Sequence, residues 1–345
     1  MNNYICTWFC EDQKGEEGFY PQTGLRSSSL SHQLVYWRCV VTFFITSVRF
    51  NKDVQHLFFT NTRVLPVLAG KSAEKILNEL GVKVIKTDFK YKTPLGYYKA
   101  WQNQFYEFSI LEHIASNYQN PNDMFLILDS DCLFLKSAAE IFSRARSAGG
   151  FLSYEMMYPE NYAVNGISRT DMKSIYEDLL KHEIKEVPAY HAGEFFLSSQ
   201  SLIKKLFADF LLLWPLLLEK NEKNEKKLNE EAHTLSFLYF KNDLMAGGAN
   251  AFIKRIWTNP VFYRNVSSTD AELTIWHLPA EKTYGLPKLF WHFLHKEKNF
   301  GLTLDDNEFL HLIQRYISIP DASLAKLSKY YVHTYYNALK KRLIR

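Results

Sequence analysis

The 345-residue chain lacks several common signatures of function. It holds no Gly-x-Gly-x-x-Gly, so the dinucleotide-binding fingerprint is absent. Gly70-Lys71-Ser72 looks like the end of a phosphate-binding P-loop, but the glycine that must open such a loop falls on Leu65. Cysteine is scarce. Cys6, Cys10, Cys39 and Cys132 have neither zinc spacing nor a dense disulfide pattern, so a reducing, cytoplasmic setting is the simplest expectation. Met1-Asn-Asn-Tyr-Ile has no basic start followed by an apolar segment, so no secretory signal is visible. No run is a convincing membrane span. The segment 206–218 is short and holds Asp209 and Pro215, and 34–50 is interrupted by Arg38 and Arg49. A net charge of +4 is too mild for a general nucleic-acid binder. No internal repeat is seen.

What is present is apolar mass. Hydrophobic residues make up 47% and aromatics 16%, enough to fill the core of one large domain or two modest ones. Apolar runs that read as strands (3–9, 54–59, 82–87, 124–128) alternate with segments that read as helices. One helix starts at a cap within 27–31; others span 72–80 and 96–117. A loop is expected over 11–24. Strand-helix alternation predicts an α/β fold with a parallel sheet flanked by helices. Further on, strands are expected over 151–156, 192–198 and 253–258, and helices over 170–182, 201–218 and 230–240. The helix 201–218 should bend at Pro215. The charged stretch 220–227 reads as a solvated link, and the chain beyond Leu302 as mostly helical.

The most informative stretch is Met124-Phe-Leu-Ile-Leu-Asp129-Ser-Asp131-Cys-Leu-Phe-Leu135. An unbroken apolar run marks a strand covered on both faces. In extended backbone, residues i and i+2 point the same way, so Asp129 and Asp131 should face one spot. That spot lies at the carboxyl edge of the sheet, where ligands of open α/β sheets bind. Paired hard oxygens there suit a divalent cation that grips a diphosphate. An Asp-x-Asp triplet is cheap, with about one expected by chance in a chain this long, so its strand-end context carries the weight. A phosphatase of the haloacid dehalogenase type also uses such a pair, with the first Asp as nucleophile. That motif comes early in its domain and continues with glycine or threonine, whereas Cys132 and Leu133 follow here. The other chemistry is sugar transfer from a nucleotide diphosphate, in which a metal steadies the leaving group.

Three downstream segments could complete a site. In Tyr190-His191-Ala192-Gly193-Glu194, a glycine before a strand allows a ligand to approach closely. Glu194 could orient an acceptor hydroxyl, act as its base or stabilise a cationic sugar, or it could be a strand-end charge with His191 in a loop. In Asn229-Glu230-Glu231-Ala-His233, Glu230 and His233 share a helical face and Glu231 points elsewhere, so one carboxylate should enter the cleft. The alternative is a solvated acidic first turn. In Trp276-His277-Leu-Pro279-Ala-Glu281-Lys282, His277 could ligate a metal and Lys282 could neutralise a diphosphate.

These four segments, in this order, resemble the GT-A superfamily of nucleotide-sugar glycosyltransferases, with the closest likeness to retaining families of the glycogenin and lipopolysaccharide galactosyltransferase type. Leu128-Asp129-Ser130-Asp131 matches a Leu-Asp-x-Asp strand end. Tyr190-His191-Ala192-Gly193 resembles a Phe-Asn-x-Gly segment, with His in place of Asn. His277 and Lys282 resemble a late His followed by Lys, without the usual glycine between them. Glu231 and His233 resemble an acidic helix start in the blood-group transferase type, where the Glu lies by the anomeric carbon.

The resemblance implies a Rossmann-like, mixed but mostly parallel sheet over residues 1–300 and a helical C-terminal extension over 301–345. It implies Mn²⁺ or Mg²⁺ held by Asp129, Asp131 and His277. It implies donor contacts (a UDP- or GDP-sugar) near Thr7, Trp8, Phe9, Thr60, Asn61, Lys99, Asp129, Ser130 and Lys282, with Glu194, Glu231 and His191 as candidate catalytic groups. A glycan, a lipid-linked saccharide or a protein would be the acceptor, and nucleic acid would not be a partner. A non-catalytic nucleotide-sugar binder stays open as a rival. The tail 323–345 has six basic residues, no acidic one, and Tyr330, Tyr331, Tyr335 and Tyr336. Such a helix can lie on an anionic membrane surface or pack on the domain.

Overall fold

The computed structural model describes residues 1–20, 24–99, 102–244, 247–259 and 263–343. Residues 21–23 of the expected first loop, 100–101 of the expected long helix and 344–345 of the tail lie outside them. In chain order the elements that build the fold are β1 (Asn3–Phe9), α1 (Leu30–Phe50), β2 (Gln55–Thr60), α2 (Ala73–Glu79), β3 (Lys83–Lys86), α3 (Tyr106–Asn117), β4 (Met124–Leu128), β5 (Cys132–Phe134) and α4 (Ala139–Ser147). Then come β6 (Phe151–Glu155), α5 (Arg169–Leu180), β7 (His191–Ser199), α6 (Gln200–Glu222), α7 (Glu231–Lys241), β8 (Ile253–Arg255), β9 (Ile275–His277), α8 (Gly285–His295), α9 (Asp306–Ile317) and α10 (Leu324–Leu343).

The main sheet has the order β6-β7-β4-β1-β2-β3. Strands β4, β1, β2 and β3 are parallel, as the strand-helix alternation predicts. β7 returns antiparallel to β4, and β6 pairs antiparallel with β7. The sheet is therefore mixed and mostly parallel. Alternation along its strands divides the core in two. Ile5, Phe58, Leu126 and Leu128 pack with α1, α2, α4 and α8 on one face, whereas Cys6, Leu57, Phe59, Phe125 and Ile127 pack with α3, α5, α6 and α7 on the other. Burial on both faces is why these strands read as continuous apolar runs rather than alternating ones.

α1 begins where expected: Ser29 caps it by accepting from the His32 N–H at 3.3 Å. Its β-branched run does not break it, because Val40, Val41, Thr42, Ile45 and Thr46 are sealed in the core. The expected helix 96–117 starts late. Gly96 has φ +82, which ends any helix there, and the regular helix begins at Tyr106 after a short 3-10 turn. α6 continues through Pro215 to Glu222 and takes in the first residues of the supposed charged link. Phe309, Ile313 and Ile317 of α9 join the same core as α1 and α8, and Phe293 and Phe309 stack at 5.4 Å. α10 is docked by one face. Lys326 pairs with buried Glu281, Lys329 lies 4.8 Å from the Tyr284 ring centre, and Tyr330 is buried. Tyr331, Val332, Tyr335 and Tyr336 face outward. Among the described residues no helix is long and apolar enough to cross a membrane.

A second, small sheet positions the site. Its order is β8-β9-β5, with Arg255, His277 and Cys132 in register across it. The link between β4 and β5 is Asp129-Ser130-Asp131, so this triplet joins the two sheets.

Candidate active site

Asp129 and Asp131 meet, but not through a continuous strand. The chain turns at Ser130, where the Cys132 N–H donates to the Asp129 carbonyl at 3.1 Å. Each aspartate is pinned to a different sheet. The Asp129 N–H donates to the Glu194 carbonyl of β7 at 3.3 Å, and the Asp131 carbonyl accepts from the Leu278 N–H just past β9 at 3.1 Å. His277, at the end of β9, then faces both carboxylates. Its Nε2 lies 3.2 Å from Asp131 Oδ2 and 3.5 Å from Asp129 Oδ2. Lys282 Nζ approaches Asp131 Oδ2 to 2.9 Å and lies 5.0 Å from the Tyr36 ring centre.

Three ligand atoms of Asp129, Asp131 and His277 fall within 4.8 Å of one another. Asp131 Oδ2 and His277 Nε2 are buried without a well-aligned hydrogen bond. They face each other at 3.2 Å, and Oδ2 also faces Lys282 Nζ at 2.9 Å. Buried polar atoms held by ion pairing alone call for an explanation. Two carboxylates and one imidazole form a donor set that suits Mn²⁺ or Mg²⁺. The residues present therefore fit the cation that the resemblance implies. Burial works against the charge on Asp131, yet Lys282 and His277 more than offset it and hold its carboxyl well below the usual range. Burial works against His277 as well, but Asp131 and Glu194 raise its pKa well above the ordinary value.

Glu194 is buried on β7 and both its oxygens are engaged. Arg255 Nε donates to Oε1 at 2.7 Å and Nη2 to Oε2 at 2.5 Å, while His277 Nδ1 lies 3.1 Å from Oε1. Burial alone would raise its pKa, but Arg255 and then His277 hold it low.

The other wall of the cleft is the start of α7. Here the helical-wheel expectation of one inward carboxylate fails. Glu230 has extended backbone (φ −146, ψ 171) and precedes the helix, so wheel spacing does not apply to it. Glu230 and Glu231 both line the cleft. Glu230 accepts from the Tyr190 hydroxyl at 2.9 Å and from Asn165. Glu231 takes the Gln104 amide at 2.7 Å, once that amide is oriented with nitrogen toward it. Burial, then Glu230 and Glu107, push the Glu231 carboxyl well above the usual carboxylate range. The close approach that Gly193 permits is to Glu231: a Cβ there would lie 2.3 Å from Glu231 Oε1.

Of the sequence-predicted residues, Trp8, Phe9, Asp129, Ser130, Asp131, Glu194, Glu231, His277 and Lys282 line one cleft. Five do not. Thr7 is buried between strands and donates to the Leu128 carbonyl at 2.8 Å. Thr60 accepts from the Thr62 N–H, and Asn61 clamps the loop at Glu11 through 2.7 and 2.9 Å bonds. Lys99 is exposed away from the cleft. His191 is buried against Ser153 at 3.1 Å, and burial holds its pKa down to about 4. The strand is irregular between it and Glu194, so alternation does not relate the two side chains: His191 turns to Ser153 and Glu194 to Arg255 and His277. His233 is also buried outside the cleft, with neither ring nitrogen hydrogen-bonded. Arg255, Gln104, Tyr36 and Trp257 line the cleft and were missed. The signal for Arg255 was a cation in an apolar strand, but its partner is 61 residues away.

No family model matches the chain, and no curated protein matches it. Solved structures do. Mouse xyloside xylosyltransferase 1 (apo form) is 12% identical, with a TM-score of 0.47 over 80% of this chain and 97% of that one. An active-site mutant of LgtC is 10% identical, with a TM-score of 0.47 over 80% and 86%. Galactosyltransferase LgtC in complex with donor and acceptor sugar analogues is 11% identical, with a TM-score of 0.48 over 94% and 99%. At this identity and overlap, the likeness assigns neither activity nor ligand to this chain.

Proposed function

We propose that the chain is a metal-dependent glycosyltransferase that moves a sugar from a UDP- or GDP-type donor to a hydroxyl acceptor. The observation that carries this is the Asp129–Asp131–His277 set, two carboxylates and an imidazole whose ligand atoms converge within 4.8 Å, on the floor of a cleft at a sheet edge. Asp129, Asp131 and His277 would hold Mn²⁺ or Mg²⁺, which when bound neutralises charge on a leaving diphosphate. Lys282 adds a second cation beside the same carboxylates. Trp8, Tyr36 and Trp257 offer aromatic faces for base or sugar. Glu231, on the opposite wall and held by Gln104, would orient the acceptor hydroxyl or attend the anomeric carbon.

Thermal midpoints measured with nucleotide diphosphates should rise more with Mn²⁺ present than with either ligand alone, because ligands that bind the folded state stabilise it. No rise with any nucleotide would sink the proposal. Acceptor-independent turnover of an aryl phosphate would favour a phosphatase with Asp129 as nucleophile, and tight binding without transfer or donor hydrolysis a non-catalytic binder.

The outward tyrosines of α10 and the basic tail suit an anionic membrane surface, which fits a lipid-linked acceptor. Replacing Tyr331, Tyr335 and Tyr336 by serine should reduce co-sedimentation with phosphatidylglycerol vesicles. Equal sedimentation of native and variant chains would remove this part of the proposal.

A further inference from the structure

Glu194 is a buried carboxylate in mid-cleft, and its simplest chemical role is that of a base. Its contacts work against that role. Three of its roughly four lone-pair sites are occupied, and a carboxylate gripped by a guanidinium is a weak base. The Arg255 fork grips them side by side, and Oε1 also faces His277 Nδ1 at 3.1 Å. The same contacts constrain His277. A neutral imidazole carries one N–H and one acceptor nitrogen, and the bond made by one nitrogen sets the state of the other. With Nδ1–H donating to Glu194, Nε2 is the ring nitrogen left to point between Asp129 and Asp131, 3.5 and 3.2 Å away, where a bound cation would displace its proton.

Backbone register makes the arrangement rigid. Arg255 and His277 are paired residues of adjacent strands, and the Ile256 N–H donates to the His277 carbonyl at 2.8 Å. The Arg255 N–H is itself within 3.2 Å of the Tyr154 hydroxyl. Glu194 comes from the other sheet, one strand from the aspartates, and its carbonyl accepts from the Asp129 N–H. The Glu194 residue thus touches Asp129 through its backbone and His277 through its side chain.

The geometry points to Arg255 and Glu194 as positioning residues: an Arg255–Glu194–His277 clamp fixes the ring and tautomer of His277, so that Nε2 completes a divalent-cation site with Asp129 and Asp131. This rests on the metal assignment proposed above and deepens it. Partners of this kind, placed behind a ligating histidine, change metal affinity by about 10- to 100-fold when removed.

The test is Mn²⁺ binding without nucleotide, followed by electron paramagnetic resonance at fixed pH, in the native chain and in Arg255→Lys, Glu194→Gln and the paired Glu194→Leu/Arg255→Leu variant. The pair removes both charges together, so no lone buried ion is left to unfold the chain. Circular dichroism confirms that each variant is folded. The expected result is a weakening of Mn²⁺ binding by about 10- to 100-fold in the paired variant. A smaller loss is expected in Arg255→Lys, which keeps the charge but not the fork. Native-like Mn²⁺ affinity in the folded paired variant overturns the clamp while the metal site stands. A native chain that binds no Mn²⁺ overturns the metal assignment and the clamp with it.

Discussion

Asp131→Asn should lower transfer by about 1000-fold or more, since one ligand charge that steadies the departing diphosphate is lost. Asp131 is 1% exposed, and its Oδ2 faces both His277 Nε2 and Lys282 Nζ. Alanine at this position removes both contacts and leaves the Lys282 ammonium buried beside an empty space, a situation that costs about 3–5 kcal/mol. Asparagine keeps the volume and one acceptor oxygen, so it separates chemistry from folding. Both variants should lose transfer and the Mn²⁺-dependent part of the nucleotide-induced thermal shift, and the Asn variant, which keeps an acceptor oxygen toward Lys282 and leaves no void, should lose less stability than the Ala variant. Full activity in a folded Asp131→Asn chain would show that no cation is held there.

Gly193→Ala should be nearly as damaging, although it adds only a methyl group. The new Cβ would meet Glu231 Oε1 at 2.3 Å and Glu231 Cδ at 3.3 Å, so the carboxylate must swing away from the cleft wall. The end of a glutamate side chain moves easily, and overpacking of this kind costs about 1–3 kcal/mol. The functional loss should be larger: about 10²- to 10⁴-fold in kcat/KM, the range for losing a positioned acid or base. Glu231→Ala should match it, and the double variant should be no worse than either single one, because both changes remove the same carboxylate. Additive losses, or native kinetics in Gly193→Ala beside an impaired Glu231→Ala, would detach Glu231 from the reaction.

The parts of this site that local sequence could reveal are those set by local backbone. Asp129 and Asp131 end an apolar strand, His277 ends another, and Gly193 sits in a third. Each of those features is written in a few consecutive residues. What local sequence does not show is pairing across the fold. Arg255 meets Glu194 only because β8 pairs with β9 and β4 pairs with β7, so one join brings both sheets to the aspartates. Gln104 reaches Glu231 from a segment read as plain helix. His191 lies outside the cleft beside Ser153, and the irregularity in β7 between it and Glu194 is not written in the local sequence. Thr7, Thr60 and Asn61 do not line the cleft; strand ends also need polar groups to tie neighbouring loops and strands, and those ties are what the three residues make.

Lys326 closes on Glu281, which sits next to Lys282 in the chain and also accepts from Thr258 and the Gly285 N–H. Cutting the polypeptide before residue 324 would therefore strip a fully enclosed carboxylate of its counter-ion, one position from the cation at the cleft. A shortened protein that stops working would be reporting an electrostatic wound in the interior. Attachment to a lipid surface has to be judged with point changes on the outward rings, in a chain that keeps its last helix.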